Sequence, residues 1–478
     1  MNKRVGFSAA LLAGALLLGT TACGTQETVS VASPVQLTVW TYYNGDQLET
    51  FNKLVEEFND TVGKERNIEV ISSGQGSVND LETNVLNAAE GKVGAEAMPN
   101  IFAAYADTAY AIDQMGLVVD LAPYLDESDR EKYIAAYLEE GDFDGDGSIK
   151  IFPTAKSTEL MFLNDTDWQK FAAATGADYS DLSTVEGVVQ TAEQYYEWTD
   201  AQTAAPDDGK ALFGRDAMAN YLLAGAKELG DQIFTVKNGK MTLNFDKTVV
   251  RKLWDNYYVP YIKGYMVSAG RFRSDDVKTG TILAYVGANS SATFLPTQVI
   301  KDNGLSYDIT MRALPCPTFE GCDPVAVQQG AGMVVTKGTD EQIEASVEFL
   351  KWFTEPENNI SFSVGSGYMP VTHEACDMDT IEQSDLSLSD GMKDILSTAI
   401  DTVNGCELYT TPAFTGAKDA RNTLEYCMSD RASADRQTVE ERIAAGQSAA
   451  DAEAEFLTDE NFEKWYNETL TALKVYEG

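Results

Sequence analysis

Three aspartates in Asp142-Phe-Asp-Gly-Asp-Gly-Ser148 place carboxylates at alternate positions of a glycine-bearing loop, as the opening of an EF-hand calcium loop does. Where that motif needs its last, bidentate Glu, the chain has Pro153. A regular EF-hand is therefore excluded, and Asp142, Asp144 and Asp146 stand as ligands of a structural Ca²⁺ or as a solvated turn. The one histidine, His373, leaves no multi-histidine metal site, and a Ser/His/Asp triad has only that ring to use. With 75 Asp and Glu residues, a carboxylate pair of the kind glycoside hydrolases use cannot be dismissed by counting. Arg215, Arg271 and Arg273 suit bidentate phosphate binding, and the hydroxyl-rich Gly287-Ala-Asn-Ser-Ser-Ala-Thr293, with Ser290, suits an anion ahead of a helix. Pairing with surrounding carboxylates is the competing role for each arginine. Aromatic faces at Trp40, Tyr42, Tyr43, Tyr105, Phe213, Tyr285, Tyr368, Tyr409 and Phe414 suit sugar rings, with Asp, Asn and Gln for the hydroxyls; core packing is their competing role.

The elements that must position these groups alternate between strand and helix. Leu37-Thr-Val-Trp40 reads as a strand, and Leu48, Phe51, Leu54, Val55 and Phe58 then fall on one helical face. Asp46 with Glu49 suits a capped start, and Gly63 suits the stop. Ile68–Ile71 reads as a second strand, Val78, Leu81, Val85 and Leu86 as a helix, and Pro99–Ala104 as a third strand before a helix ending at Met115-Gly116. This pattern predicts a parallel sheet covered by helices, with ligands at the carboxyl ends of its strands. The loops at those ends carry Tyr42, Tyr43, Gln75, Tyr105 and Asp107. A second lobe with longer helices begins near Lys156. A strand over Gly330–Val335 and a helix burying Ile343, Val347 and Leu350 come later, and after Tyr368-Met-Pro370 the chain reads as helical and acidic.

The 478 residues allow two or three domains, and 44% apolar residues ensure a core. With 35 Lys and Arg against those 75 acids, the formal charge is −40, which repels phosphate backbones, so no nucleic acid partner is expected. Lys3 and Arg4 precede an apolar run, Phe7–Leu18, that fits a signal-peptide core. The segment Gly19-Thr-Thr-Ala-Cys23 is similar to a lipobox, with Thr20 as its departure, and predicts lipidation at Cys23 followed by a flexible tether, Gly24–Ser33. In an exported chain the remaining cysteines can oxidise. Cys316 with Cys322 and Cys406 with Cys427 are possible pairs, Cys376 is then odd, and connectivity stays open.

Four blocks in order resemble an extracytoplasmic solute-binding protein of a bacterial ABC importer, in the family that includes maltose- and glycerol-phosphate-binding proteins. They are Leu37–Trp40 leading into Phe51–Phe58; Ile149–Asn164; Gly330–Lys337 with Glu344–Phe353; and Gly367–Val371. The resemblance implies an α/β, two-lobed periplasmic-binding-protein fold (type II), each lobe a mostly parallel sheet flanked by helices. After a signal peptide (1–22) and tether (23–35), residues 36–154 plus 332–368 form one lobe and 155–331 plus 369–478 the other. Hinge crossings are expected near Pro153–Ser157, Gln328–Gly332 and Tyr368–Val371. The family pattern sets Trp40, Tyr105, Ser157, Glu159 and Tyr368 at or beside ligand contacts. It implies a non-catalytic, monomeric receptor that delivers a carbohydrate to an ABC permease and is lipid-anchored outside the cytoplasmic membrane. The place where maltose-type members carry tryptophans, Gly287–Thr293, has none here, which keeps a phosphorylated polyol as the alternative solute.

Overall fold

A computed structural model describes residues 33–237, 239–301 and 303–478. The export signal, Cys23 and most of the tether lie outside the described residues. Among those described, no helix is long and apolar enough to cross a membrane. Ten strands carry the architecture: β1 (Val35–Thr41), β2 (Ile68–Gly74), β3 (Ile101–Ala104), β4 (Glu159–Asn164), β5 (Phe213–Arg215), β6 (Ala284–Ala288), β7 (Met311–Pro315), β8 (Val325–Val327), β9 (Gly332–Val335) and β10 (Glu407–Tyr409).

The first sheet has the order β9-β3-β1-β2, with β1 parallel to both β2 and β3 and β9 antiparallel at one edge. Helix Gly45–Asp60 buries Phe51, Leu54, Val55 and Phe58 against it, on the expected face. Two details of that helix differ from the sequence expectation. Its N-cap is Asn44, without a side-chain cap, so Asp46 lies in the first turn and acts through the helix dipole. Gly63 does not end it but sits in the next helix, Val62–Arg66, where a Cβ would come within 2.8 Å of the Phe58 and Ile68 carbonyl oxygens. Close backbone approach is what that glycine supplies. Helix Val78–Ala89 opens with a capping box between Ser77 and Asp80.

The second sheet, β7-β4-β6-β5, corrects the expectation of a mostly parallel arrangement. Strand β4 runs antiparallel to both β7 and β6, and only β5 and β6 are parallel. The physical reason is connectivity: β4 enters from the segment 152–157 rather than from a helical crossover within its own sheet. Its residues alternate between two cores. Leu160 and Phe162 join the core that continues from the first sheet, while Met161 and Leu163 face a second core built with the C-terminal helices. Strand β10 interrupts the helical C-terminal region and pairs in parallel with β8.

Three chain segments meet between the sheets. Phe152 pairs with Met333, Lys156 with Met369 and Ser157 with Gln329, each through two backbone hydrogen bonds of 2.7–3.0 Å. Gly330 is required there, because it has φ +100° and its Cβ would lie 2.7 Å from the Ala155 carbonyl oxygen. Past this point Ile134 and His373 tie residues 371–373 to 132–134 by backbone hydrogen bonds. Helix Asp390–Gly405 then packs on β7.

Candidate functional site

A cavity of about 480 Å³ opens beside the three paired segments. The first turns of four helices line it: Val78 and Asn79; Ala106 and Asp107; Asn220; and Ala417 and Lys418. Two of these helices, Ala106–Gln114 and Ala417–Cys427, have no side-chain cap on their N-termini, so oriented N–H groups favour an oxygen-rich ligand. Ser157, Ser290, Gln328, Gln329, Thr410 and Thr411 add hydroxyls and amides, and Tyr105 and Tyr368 add aromatic surface.

Tyr42 stacks on Tyr105, with ring centroids 6.5 Å apart at 19°. Burial, then the neighbouring Tyr105 and Tyr368, push the Tyr42 hydroxyl well above its usual range, and burial does the same to Tyr105 and Tyr368. All three stay neutral at any physiological pH. Burial also raises the Asp107 carboxyl; the Thr108 N–H and Lys418 oppose that shift and Glu82 adds to it. At the mouth of the cavity Lys418 joins the two cores, forming an ion pair with Glu82 and a 3.3 Å hydrogen bond to Asn79. Beside the paired segments the buried Lys156 pairs with Glu140, which lines the cavity, and donates to the Gly330 carbonyl at 2.7 Å.

Of the residues singled out in the sequence, the cavity brings together Tyr105, Asp107, Ser157, Ser290 and Tyr368, with Tyr42 against Tyr105. The structure separates the others from it. Trp40 is 4% exposed, pairs with Ser73 and Phe102 across the first sheet, and borders a different hollow of about 310 Å³ with Gln75 and Asn84. Tyr43 packs in the core on Phe51 and Phe362, Tyr285 on Phe162 and Phe414 on Phe234. Phe213 and Tyr409 are also buried. These side chains pack into the two cores, where apolar burial outweighs exposure.

Glu159 and Arg215 form a buried ion pair at 3.0 Å behind the cavity wall. The Asn220 amide donates to Glu159 at 2.7 Å and accepts from Arg421 at 2.8 Å, so the pair orients cavity residues without lining the cavity. Burial pushes the Glu159 carboxyl up, against the opposing pull of Arg215 and Asn220. The phosphate-binding arginines are likewise engaged elsewhere. Arg273 is buried against Asp276 and Asp216, and Arg271 lies over the Phe272 ring.

The Asp142 carboxylate accepts from the Asp146 and Gly147 N–H groups at 2.9 Å, Asp146 accepts from Ser148, and Asp144 approaches Lys150. Among the described residues no three His, Cys, Asp or Glu side chains converge as a metal site. Cys316, Cys322, Cys376, Cys406 and Cys427 are all unpaired in the structure. Burial pushes the Cys316 thiol up to about 12, although Arg215 beside it pulls the other way.

Sequence reasoning missed Asn79, Glu82, Asn220, Gln328, Lys418 and Arg421. A signal existed for Asn79 and Glu82, which lie off the buried Leu81 and Val85 stripe of their helix. No local signal marks Asn220, Lys418 and Arg421, because their helices face the cavity only through tertiary packing, and Gln328 was read only as part of a crossing between the lobes.

Comparison with known proteins agrees with this geometry. The chain is similar in structure to the cyclic α-maltosyl-1,6-maltose binding protein from Arthrobacter globiformis, with TM-score 0.65 and 16% identity over 91% of this chain and 99% of that one. It is also similar to UgpB from Mycobacterium tuberculosis, solved in complex with glycerophosphocholine, with TM-score 0.62 and 17% identity over 92% and 98% of the two chains. A third likeness is to the GacH receptor of Streptomyces glaucescens, solved with acarbose, at TM-score 0.62 and 14% identity over 93% and 100%. These likenesses establish the two-lobed binding-protein fold. Among curated proteins no sequence matches the chain. A family model described as bacterial extracellular solute-binding protein matches residues 53–386, and the chain belongs to that family.

Proposed function

We propose that this protein is the extracytoplasmic receptor of an ABC importer, capturing a neutral mono- or oligosaccharide between its lobes and delivering it to a membrane permease. One observation carries the reading. The partly buried rings of Tyr105 and Tyr368 share a cavity with amides, hydroxyls and the Asp107 carboxylate, which is the mixture a polyhydroxylated ring requires. The sugar ligands of the Arthrobacter and Streptomyces relatives support it. Ligand contacts to both lobes shift the open and closed populations, so the protein acts by binding without catalysis. Lipidation at Cys23 tethers it to the outer face of the membrane, and Cys23→Ala releases it.

A phosphorylated polyol is the second reading. It is favoured by Lys418 and Arg421 in the cavity wall and by the glycerophosphocholine bound to the mycobacterial relative. Against it, Lys418 is matched by Glu82 and Arg421 is held by Asn220.

The test is a thermal-shift screen with glucose, maltose, maltotriose, glycerol 3-phosphate and glycerophosphocholine. A ligand at 100 times its Kd adds about 2.7 kcal/mol of stability. For the sugar that binds, Tyr105→Ala and Tyr368→Ala each weaken affinity roughly 5- to 150-fold, corresponding to about 1–3 kcal/mol per good contact. Trp40→Ala lowers stability but leaves affinity unchanged. Stabilisation by the phosphorylated compounds and by none of the sugars refutes the neutral-sugar reading.

A further inference from the structure

Gln328 is 7% exposed and lines the cavity, yet neither its Oε1 nor its Nε2 has a hydrogen-bond partner. Its backbone is fixed on both sides. The Gln328 N–H donates to the Tyr409 carbonyl at 2.8 Å, and Gln329 exchanges two 2.9 Å hydrogen bonds with Ser157 at the hinge. The Tyr409 hydroxyl, on the paired strand, is also buried without a partner. Buried amides are almost always satisfied, and leaving one unpaired is costly, so an orphan in a cavity wall calls for a partner from outside the chain.

We infer that Gln328 is a specificity-determining residue whose side-chain amide hydrogen-bonds the bound solute, accepting from one hydroxyl through Oε1 and donating to its neighbour through Nε2. This rests on the neutral-sugar reading and sharpens it to a substrate class, solutes that present two adjacent hydroxyls. The amide offers a donor and an acceptor side by side. A vicinal diol matches both, because each hydroxyl can donate or accept. A phosphodiester oxygen can only accept, which leaves Oε1 unpaired, so a phosphorylated solute would satisfy this amide through a diol it carries and not through its phosphate.

The test compares wild type with Gln328→Leu, of similar volume, by calorimetry and thermal unfolding, using glucose, maltose, maltotriose and glycerophosphocholine as probes. For whichever of the three sugars stabilises wild type, Gln328→Leu is expected to weaken binding at least tenfold. The same variant, free of ligand, melts at or above the wild-type temperature, because an unpaired polar group has been replaced by an apolar one. The monodeoxy analogue of that sugar lacking the contacted hydroxyl should bind wild type at least tenfold more weakly, and both should bind Gln328→Leu equally. Sugar affinity within twofold of wild type overturns the inference and leaves the neutral-sugar reading standing. A lower melting temperature for the ligand-free variant also overturns it, since Gln328 then serves the fold. Binding of glycerophosphocholine and of no sugar overturns the neutral-sugar reading and this inference together.

Discussion

Lys156 joins a buried ion pair to the backbone pairing of the three segments. Its side chain is 0% exposed and that of its partner Glu140 is 4% exposed. The ammonium pairs with Glu140 and donates to the Gly330 carbonyl at 2.7 Å, while the Lys156 backbone exchanges two hydrogen bonds with Met369. Lys156→Met leaves the Glu140 carboxylate buried with no countercharge, and breaking a buried pair in this way costs about 3–5 kcal/mol. For a unit the size of one lobe, at about 2–4 °C per kcal/mol, the melting temperature falls by roughly 6–20 °C. Removing both charges in Lys156→Met/Glu140→Leu recovers most of the loss, because a buried pair replaced by apolar residues is often neutral. Calorimetric unfolding of wild type, both single variants and the double variant closes the thermodynamic cycle. A single variant within about 1 kcal/mol of wild type, as for a solvent-exposed pair, would refute the reasoning.

Burial pushes the Glu228 carboxyl up to about 7 despite hydrogen bonds from the Phe319 and Val325 N–H groups, and burial raises Asp216 to about 6 despite Arg273. A folded-state value above the unfolded one gives stability that is complete below the unfolded pKa and lost as pH rises through the folded one. Melting temperature should therefore decline from about pH 5 to about pH 8, and Glu228→Gln should flatten that decline; an unchanged slope in the variant contradicts the assignment. Lys418 bridges the cavity mouth to Glu82 and Asn79 and is 50% exposed, so its pairing is screened by salt. Lys418→Met should enlarge the ligand-free radius of gyration in small-angle scattering at about 0.01 M ionic strength, where the Debye length is ~30 Å, and have no effect at about 1 M, where it is ~3 Å. Identical radii at low salt remove the bridge as a contributor to closure.

Much of the first sheet was legible in the sequence, because strand β1, the Phe51–Phe58 helix face and β3 follow local periodicity, and periodicity is set by which face meets the core. The three segments around Pro153–Ser157, Gln328–Gly332 and Tyr368–Val371 were legible through the family resemblance, and the structure joins them by backbone hydrogen bonds. Tyr105, Asp107, Ser157, Ser290 and Tyr368 were also legible as cavity residues, because each sits in a loop or at a helix start beside a strand or crossing. What local pattern does not contain is the relation between distant segments. Trp40 and Tyr105 look alike as aromatics near strand ends, yet one is sealed between neighbouring strands and the other faces the cavity. Position in the sheet decides that difference, since Trp40 lies within β1 between β2 and β3 while Tyr105 lies past the end of β3 at the start of helix Ala106–Gln114. Glu159, Asn220 and Arg421 become a relay only when β4 and two helices pack together. Lys418 meets Glu82 across 336 residues of chain, and the unpaired amide of Gln328 exists only because the fold surrounds it. Composition set the charge and periodicity set the elements; the burial of particular polar groups, and with it the chemistry of the cavity, was decided by tertiary packing.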